Sequence, residues 1–551
     1  MSLKNFALSL ISILSLSCKP EHKNSVSPEK EKTPFLWEAA NIYFLLTDRF
    51  NNGDPSNDVN FERTEETATH RGFEGGDIKG IIQKLEAGYF EKLGINAIWF
   101  TPVVEQIHGI VDEGTGPTYA YHGYWAKDWT ALDPNFGTEE DLAYLIELAH
   151  SKGIRVLLDV VVNHTGPVTE KDPVWGSDWV RTGPTCNFKD YEGTTSCTLV
   201  DNLPDILTDS NKEVALPQFL TDKWKQEGRY EEETEELNAF FEATGHPRAP
   251  RFYIMKWITD FVKKYGVDGF RADTVKHTEG YVWSELYAIA SSAFETWKKK
   301  HPESVLDDTP FYMVGEVYNY NISSGRWFDY GDRKVDFFDH GFKSLINFEF
   351  KHDANKDYED IFTKYDSLLS TKLKNKSVLN YLTSHDDGAP FDKARKRTFE
   401  SATKLLLSPG ASQVYYGDET ARKLQIDGAS GDAHLRSFMN WNELQNNKEV
   451  QKLHAHWQKL GTFRRDHPAV GAGKHQMIST TPYIFSRTLK TDSFKERVVI
   501  GLDLKPGLKT LTIGNAFEQG TVVTDHYSGK KAKVEHGMVR IDTPYTLVLL
   551  Y

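Results

Sequence analysis

Apolar runs separated by stretches of helical periodicity place the tightest constraint on how this chain folds. The runs lie at residues 42–47, 96–100, 155–162, 268–271, 311–314, 378–383 and 413–416. Near-continuous apolar runs of this length mark parallel strands buried on both faces. A weaker run near residues 335–338 makes eight. Helical punctuation lies between them. Thr138 stands at a helix N-cap ahead of Leu142, Leu145, Ile146 and Ala149, and Gly153 ends that pattern. Ile254, Trp257, Ile258, Phe261 and Val262 form one apolar face before Gly266. Strand and helix alternating to a count near eight predict an α/β fold of the (β/α)8 TIM-barrel type.

Two segments break the alternation. Residues 165–251 follow the third run without a barrel-like helix and are too long for a loop, so they predict an inserted subdomain. Residues 226–236 (QEGRYEEETEE) within it read as a solvated helix or loop. From residue 467 the pattern changes to short alternating runs, as at 497–502 and 545–550, which predicts a C-terminal antiparallel β domain, a sandwich, over 467–551. The barrel then comprises 38–164 and 252–466.

The N-terminus reads as a targeting segment over residues 1–18. Lys4 precedes an apolar run at 6–16 that is too short to span a bilayer, followed by small residues and Cys18. SLSC at 15–18 resembles a bacterial lipoprotein processing site and implies lipidation of Cys18; the alternative is an ordinary signal peptide cut nearby. Residues 19–37 are charged and Pro-containing over most of their length, the composition of a disordered tether. Export and attachment to the cell envelope are the expectation, with secretion as the alternative. Cys186 and Cys197 share a Gly/Thr-rich stretch; an oxidising compartment favours a disulfide between them, and two free thiols are the alternative.

A formal net charge of −14 argues against nucleic acid or an anionic lipid surface as partner, because both demand a basic face. A neutral ligand suits the chain better. The 13% aromatic content suits stacking on sugar faces and equally an aromatic-rich core, and composition alone favours the core.

Acid, base and imidazole groups gather where four of the runs end: DVVVNH at 159–164, GFRAD at 269–273, GEVY at 315–318 and SHDD at 384–387. A closed barrel brings such ends to one rim. Cleaving a glycosidic bond with retention takes one carboxylate as nucleophile and one carboxylic acid as proton donor. Asp273 and Glu316 are the natural pair. Arg271 lies two residues before Asp273, on the same strand face, and provides its counter-charge. An anionic Asp273 raises the Glu316 pKa, which suits a general acid. Asp386 is a third carboxylate for substrate hydroxyls, with His164 and His385 beside it. The bland alternative is a buried salt-bridge cluster.

These four stretches, in this order, resemble the signature regions of the α-amylase family of glycoside hydrolases, and the resemblance covers nearly all of the chain after the tether. It implies Asp273 as nucleophile, Glu316 as acid/base and Asp386 as transition-state stabiliser, with Arg271, His164 and His385 around the sugar at the cleavage point. YHGYW at 121–125 resembles the family's substrate-binding stretch and implies His122 and Tyr124 as sugar contacts, with packing the plainer role for Trp125. Lys276 and His277 match the pair lining the acceptor side. Calcium is the implied cofactor, as one or two ions. Asn52, Asp54, Asn57, Asp58, Gly75 and Asp77 resemble a calcium loop of bacterial amylases and cyclodextrin glucanotransferases, although alternating Asn and Asp also simply make turns. Asn163, Asp205 and the His277 carbonyl match a second site.

The implied function is retaining endo-hydrolysis of α-1,4-glucosidic bonds in starch-like glucans. Asp201 stands where cyclodextrin-forming members carry an aromatic residue, and no further domain follows the first β domain; both features favour hydrolysis over cyclisation. The enzyme rival is a cyclomaltodextrinase, maltogenic enzyme or glucanotransferase acting on short or cyclic maltodextrins. A non-catalytic glucan-binding protein is a third reading, opposed by the presence of all three carboxylates.

Overall fold

The computed structural model describes residues 33–551. The leader, Cys18 and the first part of the tether lie outside that range. Eight parallel strands close into a barrel: β1 (Asn41–Leu45), β2 (Ala97–Phe100), β3 (Arg155–Val160), β4 (Gly269–Ala272), β5 (Tyr312–Gly315), β6 (Ser344–Asn347), β7 (Ser377–Asn380) and β8 (Ala411–Tyr415). Each strand pairs with its neighbours in sequence, and β1 closes the ring by pairing with both β2 and β8, so that Phe44 faces Trp99 on one side and Tyr415 on the other. Phe44 stacks on Trp99 at 3.7 Å and meets the His385 ring edge-on at 5.0 Å, so the aromatic packing of the barrel runs up to its rim.

The sixth strand is not the run at 335–338. Val335 belongs to a two-residue hairpin strand, Lys334–Val335, paired with Phe328–Asp329, and Phe337–His340 is a 3-10 turn capped by the Asp336 side chain. Strand β6 has the sequence SLIN, and its polar Asn347 is satisfied inside the fold, donating to Asn380 Oδ1 at 2.9 Å and to the Tyr365 hydroxyl at 3.0 Å. A search for apolar runs passes over such a strand.

The helices follow their sequence signals. Thr138 caps Glu139–Ser151 in a reciprocal box with Asp141. Pro250–Tyr265 ends at Gly266, whose φ of +76° and closeness to the Trp297 ring leave no room for a side chain. Between β3 and that helix lies the insert. It contains a hairpin of Val180–Arg181 against Asp205–Ile206, the Cys186–Cys197 disulfide, and the helices Gln218–Glu227 and Tyr230–Thr244. The acidic stretch at 226–236 spans the end of one helix and the start of the next, and Leu237 and Phe241 bury the second.

Beyond the helix Lys448–Asp466 two four-stranded antiparallel sheets form the C-terminal domain. They enclose Ile484, Val499, Leu511, Val539, Ile541 and Val548. The N-terminal approach departs from the expected tether, because packed chain begins before residue 38. Trp37 stacks on Tyr312 at 3.9 Å, and the Arg155 guanidinium lies 3.3 Å from the centre of the Phe35 ring. Two adjacent aromatic side chains at the foot of the barrel supply the apolar area that the charged residues before them lack.

Candidate active site

The C-terminal ends of β3, β4, β5 and β7 open into a cleft of about 600 Å³ lined by Asp273, Glu316, Asp386, His122, Tyr124, His164, Lys276, His277 and His385, among others. Strand register makes this meeting possible, since Arg271 on β4 stands beside Asp159 on β3 and Val314 on β5.

Arg271 is fully buried and organises the carboxylates. Its Nη1 donates to Asp273 Oδ1 at 2.6 Å and to Asp159 Oδ1 at 2.9 Å, while Nη2 lies 3.5 Å from Glu316 Oε2. Asp159 Oδ2 accepts from Trp99 Nε1 at 2.9 Å and from the Tyr124 hydroxyl at 2.8 Å. The guanidinium therefore has one fixed carboxylate behind it and two facing the cleft. Glu316 also accepts from the Thr274 backbone N–H at 2.9 Å. Thr274 adopts a left-handed backbone with φ +48°, an unfavourable state for a β-branched residue and a kind of strain that gathers at functional sites.

Burial pushes the Glu316 carboxyl up to about 8; Arg271 opposes this, while Asp273 and Asp386 add to it. A proton stays on Glu316 at neutral pH. Asp386 shifts the other way. Burial opposes its ionisation, but His385 when protonated in acid, the guanidiniums of Arg271 and Arg436 and the Ser384 hydroxyl together more than offset it. Burial also pushes His385 down to about 4, so at neutral pH that ring is uncharged and the guanidiniums sustain the anion. His122, His164 and His277 are likewise depressed, chiefly by burial, and act as neutral hydrogen-bonding rings.

The remaining expected residues surround this centre. The Tyr124 ring lies nearly parallel to His385 at 5.3 Å and to His122 at 5.8 Å, while Trp125 packs edge-on against His122. His164 Nε2 lies 3.2 Å from the Tyr124 carbonyl. His277 Nδ1 is 3.0 Å from the Thr194 carbonyl, on the loop closed by the disulfide. Lys276 lies among the rings of Phe188, Tyr318 and Phe328.

Sequence reasoning left several participants unassigned. Asp159 carried a signal, an acid inside the apolar run that follows Arg155, which marks a paired buried charge. Phe188, 52% exposed at the cleft mouth, gave none beyond its aromaticity, and Tyr318, 42% exposed, closed the GEVY stretch without being given a role. Arg436, which donates to the His385 carbonyl at 2.9 Å, comes from a distant loop with no legible motif.

The two oxygen clusters differ in their fitness for calcium. Among the described residues, no group of three or more His, Cys, Asp and Glu forms a metal-ligating cluster, so any ion depends on amide and carbonyl oxygens as well. In the first cluster, Asn52 Oδ1 and Asn57 Oδ1 are buried with no hydrogen-bond partner. Asp58 Oδ1 lies 2.9 Å from Asn52 Nδ2, and a Cβ on Gly75 would lie 2.6 Å from that carboxylate oxygen. Asp77 ties the loop together by accepting from the N–H groups of Gly53, Asp54 and Gly80. The Asp54 side chain is already paired with Lys79 at 2.7 Å. Orphaned oxygens beside a carboxylate suit a hard cation. The second cluster does not fit one: Asp205 Oδ1 and the His277 carbonyl both accept from Asn163 Nδ2, at 2.7 and 3.2 Å, and Arg181 Nε lies 2.7 Å from Asp205 Oδ2.

Comparison with known proteins agrees with this architecture. Residues 44–468 match the family profile described as the Alpha amylase catalytic domain. The periplasmic alpha-amylase of Escherichia coli is 36% identical over 502 residues, covering 81% of this chain and 69% of that protein. A cyclomaltodextrin glucanotransferase of Thermoanaerobacterium thermosulfurigenes is 27% identical, covering 81% of this chain and 57% of its own length. The solved structure of CldA, a cyclomaltodextrin glucanotransferase with a three-domain ABC distribution, superposes with a TM-score of 0.64 at 20% identity, covering 93% of this chain and 98% of that one. With a barrel, an acid-lined rim and a profile match over most of its length, the chain belongs to the α-amylase family of glycoside hydrolases.

Proposed function

We propose that this protein hydrolyses internal α-1,4-glucosidic bonds of starch-like glucans and maltodextrins with retention of anomeric configuration. The observation that carries the reading is a single guanidinium contacting Asp273 and Glu316 while burial keeps a proton on Glu316. Asp273 attacks the anomeric carbon as the Glu316 proton passes to the glycosidic oxygen; the C–O bond breaks and a glycosyl ester on Asp273 forms. Loss of the Asp273 charge lowers the affinity of Glu316 for a proton. Glu316 then takes a proton from water as its oxygen attacks the same carbon, which releases the sugar and restores both carboxyls. Asp386 and the neutral rings of His122, His164 and His385 hold the sugar hydroxyls at the cleavage point, and Tyr124 packs beside them.

The test is incubation with starch, followed by chromatography of the products and NMR of the newly formed reducing ends. The reading expects a ladder of short maltooligosaccharides bearing α-anomeric ends, with cyclodextrin attacked slowly. β-Anomeric ends, or no products, would overturn it. A second reading has its own observation. Phe188 and Tyr318 present exposed rings on either side of Lys276, suited to stacking on an acceptor sugar, and this favours transfer between short or cyclic maltodextrins. Rapid cyclodextrin opening or disproportionation of maltotriose would establish that one.

Asn52, Asn57, Asp58 and Gly75 would hold a calcium ion in a loop braced by Asp77, where its charge would fasten the loop at a distance from the chemistry. Export with a lipid on Cys18 completes the reading. It is supported by the leader's pattern and by likeness to a relative described as periplasmic.

A further inference from the structure

The second oxygen cluster joins the insert to the barrel, and its partners are all in place. Asn163 leaves the end of β3, Asp205 belongs to the insert's hairpin, and the His277 carbonyl follows β4. The backbone stitches the same junction: Ile206 N–H donates to the Asn163 carbonyl at 2.8 Å, and Thr165 N–H donates to the Pro204 carbonyl at 3.0 Å. The positive charge here comes from the protein. Arg181 is the cross-strand partner of Asp205 in the hairpin, and its Nε lies 2.7 Å from Asp205 Oδ2 as a charge contact with the N–H off the hydrogen-bond line. Its Nη2 reaches Asp209 Oδ1 at 3.0 Å. The Arg181 side chain is 16% exposed and that of Asp205 2% exposed, so the pair lies largely out of water, where burial pushes the Asp205 carboxyl up and the Arg181 charge is the strongest influence opposing that shift. A divalent ion on these oxygens would meet the Arg181 guanidinium, and the Asn163 amide would have to turn its oxygen toward the ion. Like charges at that separation repel, and the ion would have to displace the arginine first.

We propose that Arg181 is the resident cation of this junction and that the insert is clasped to the barrel by an ion pair within the chain, without calcium. The clasp bears on the cleft. Asn163 precedes His164, and the His277 carbonyl belongs to the residue whose ring lines the acceptor side, so the clasp adjoins both imidazoles. The inference concerns how the insert is held and stands whichever bond the cleft cleaves.

The experiment compares the wild-type protein with Arg181→Gln and Arg181→Lys, in EGTA and in millimolar calcium. The readouts are limited proteolysis within residues 165–251 and calcium stoichiometry from titration calorimetry. The wild type is expected to show the same cleavage rate in the insert under both conditions. Arg181→Gln is expected to be cut about tenfold faster or more in EGTA, because losing one partner of a buried pair raises the open population that the protease samples. Calcium should restore its protection, and the variant should bind one ion more than the wild type. Arg181→Lys keeps a charge and should remain indifferent to EGTA. Three results would each overturn the proposal: EGTA loosening the wild-type insert, Asp205→Asn lowering the wild-type calcium stoichiometry, or Arg181→Gln remaining protected in EGTA. Should Arg181→Gln fail to fold, the wild-type and Asp205→Asn measurements still decide the question.

Discussion

At the scale of single residues, Arg271 is the group that Asp159, Asp273 and Glu316 share. Replacing it by Met leaves Asp159 and Asp273 without their shared counter-charge, and a buried pair broken from one side costs about 3–5 kcal/mol. Denaturant unfolding should show a loss of that order. Glu316→Gln behaves differently. Turnover should fall at least ~10²-fold for loss of an acid–base group, measured as starch hydrolysis. Its stability should move the other way. The wild-type carboxyl holds a proton in the folded state up to about pH 8, whereas the unfolded chain releases it in the ordinary carboxylate range. Wild-type stability therefore drops as pH rises from that range through about 8, and the amide escapes the drop. The melting temperature of Glu316→Gln minus that of the wild type should grow between pH 5 and pH 8. A constant difference would show that Glu316 ionises normally in the folded protein. These residues were readable because they recur at strand ends in acid-rich stretches; Arg436 and Thr274 were not, since one arrives from a remote loop and the other acts through its backbone N–H.

Among the elements, the disulfide-closed loop has the most to do with the cleft. It presents Phe188 at the mouth and the Thr194 carbonyl to His277. Cys186→Ser with Cys197→Ser should raise KM more than it lowers kcat, because the loop shapes the acceptor side and leaves the Arg271 cluster untouched; an equal fall in kcat would place the loop in the chemistry. The helix Glu139–Ser151 offers a plainer test, with Thr138→Ala costing about 1 kcal/mol through its lost cap. That helix and the Pro250–Tyr265 helix were legible from caps, periodicity and a terminal glycine. Strand β6 was not, because its buried Asn347 is satisfied by Asn380 of the next strand and Tyr365 of a helix, a tertiary fact that local composition does not carry.

For the whole molecule, the calcium reading makes one global prediction. Chelation should lower the melting temperature, and Asn57→Ala with Asp58→Ala should abolish that sensitivity; a wild type whose melting temperature ignores EGTA would remove calcium from the first loop. Barrel, insert and β domain follow the order read from the sequence because each keeps one periodicity over many residues. The foot of the barrel was less legible. Phe35 and Trp37 pack beside the starting ends of β3 and β5, and Thr33 and Pro34 share a surface cavity with Asn96, Gly153 and Arg155, residues at or just before the starts of β2 and β3. The chain thus enters the fold at the face opposite the cleft. A lipid at Cys18 would tie the protein to the bilayer from the side opposite its cleft, and a long branched polymer could reach the carboxylates without first crossing the crowded layer of head groups.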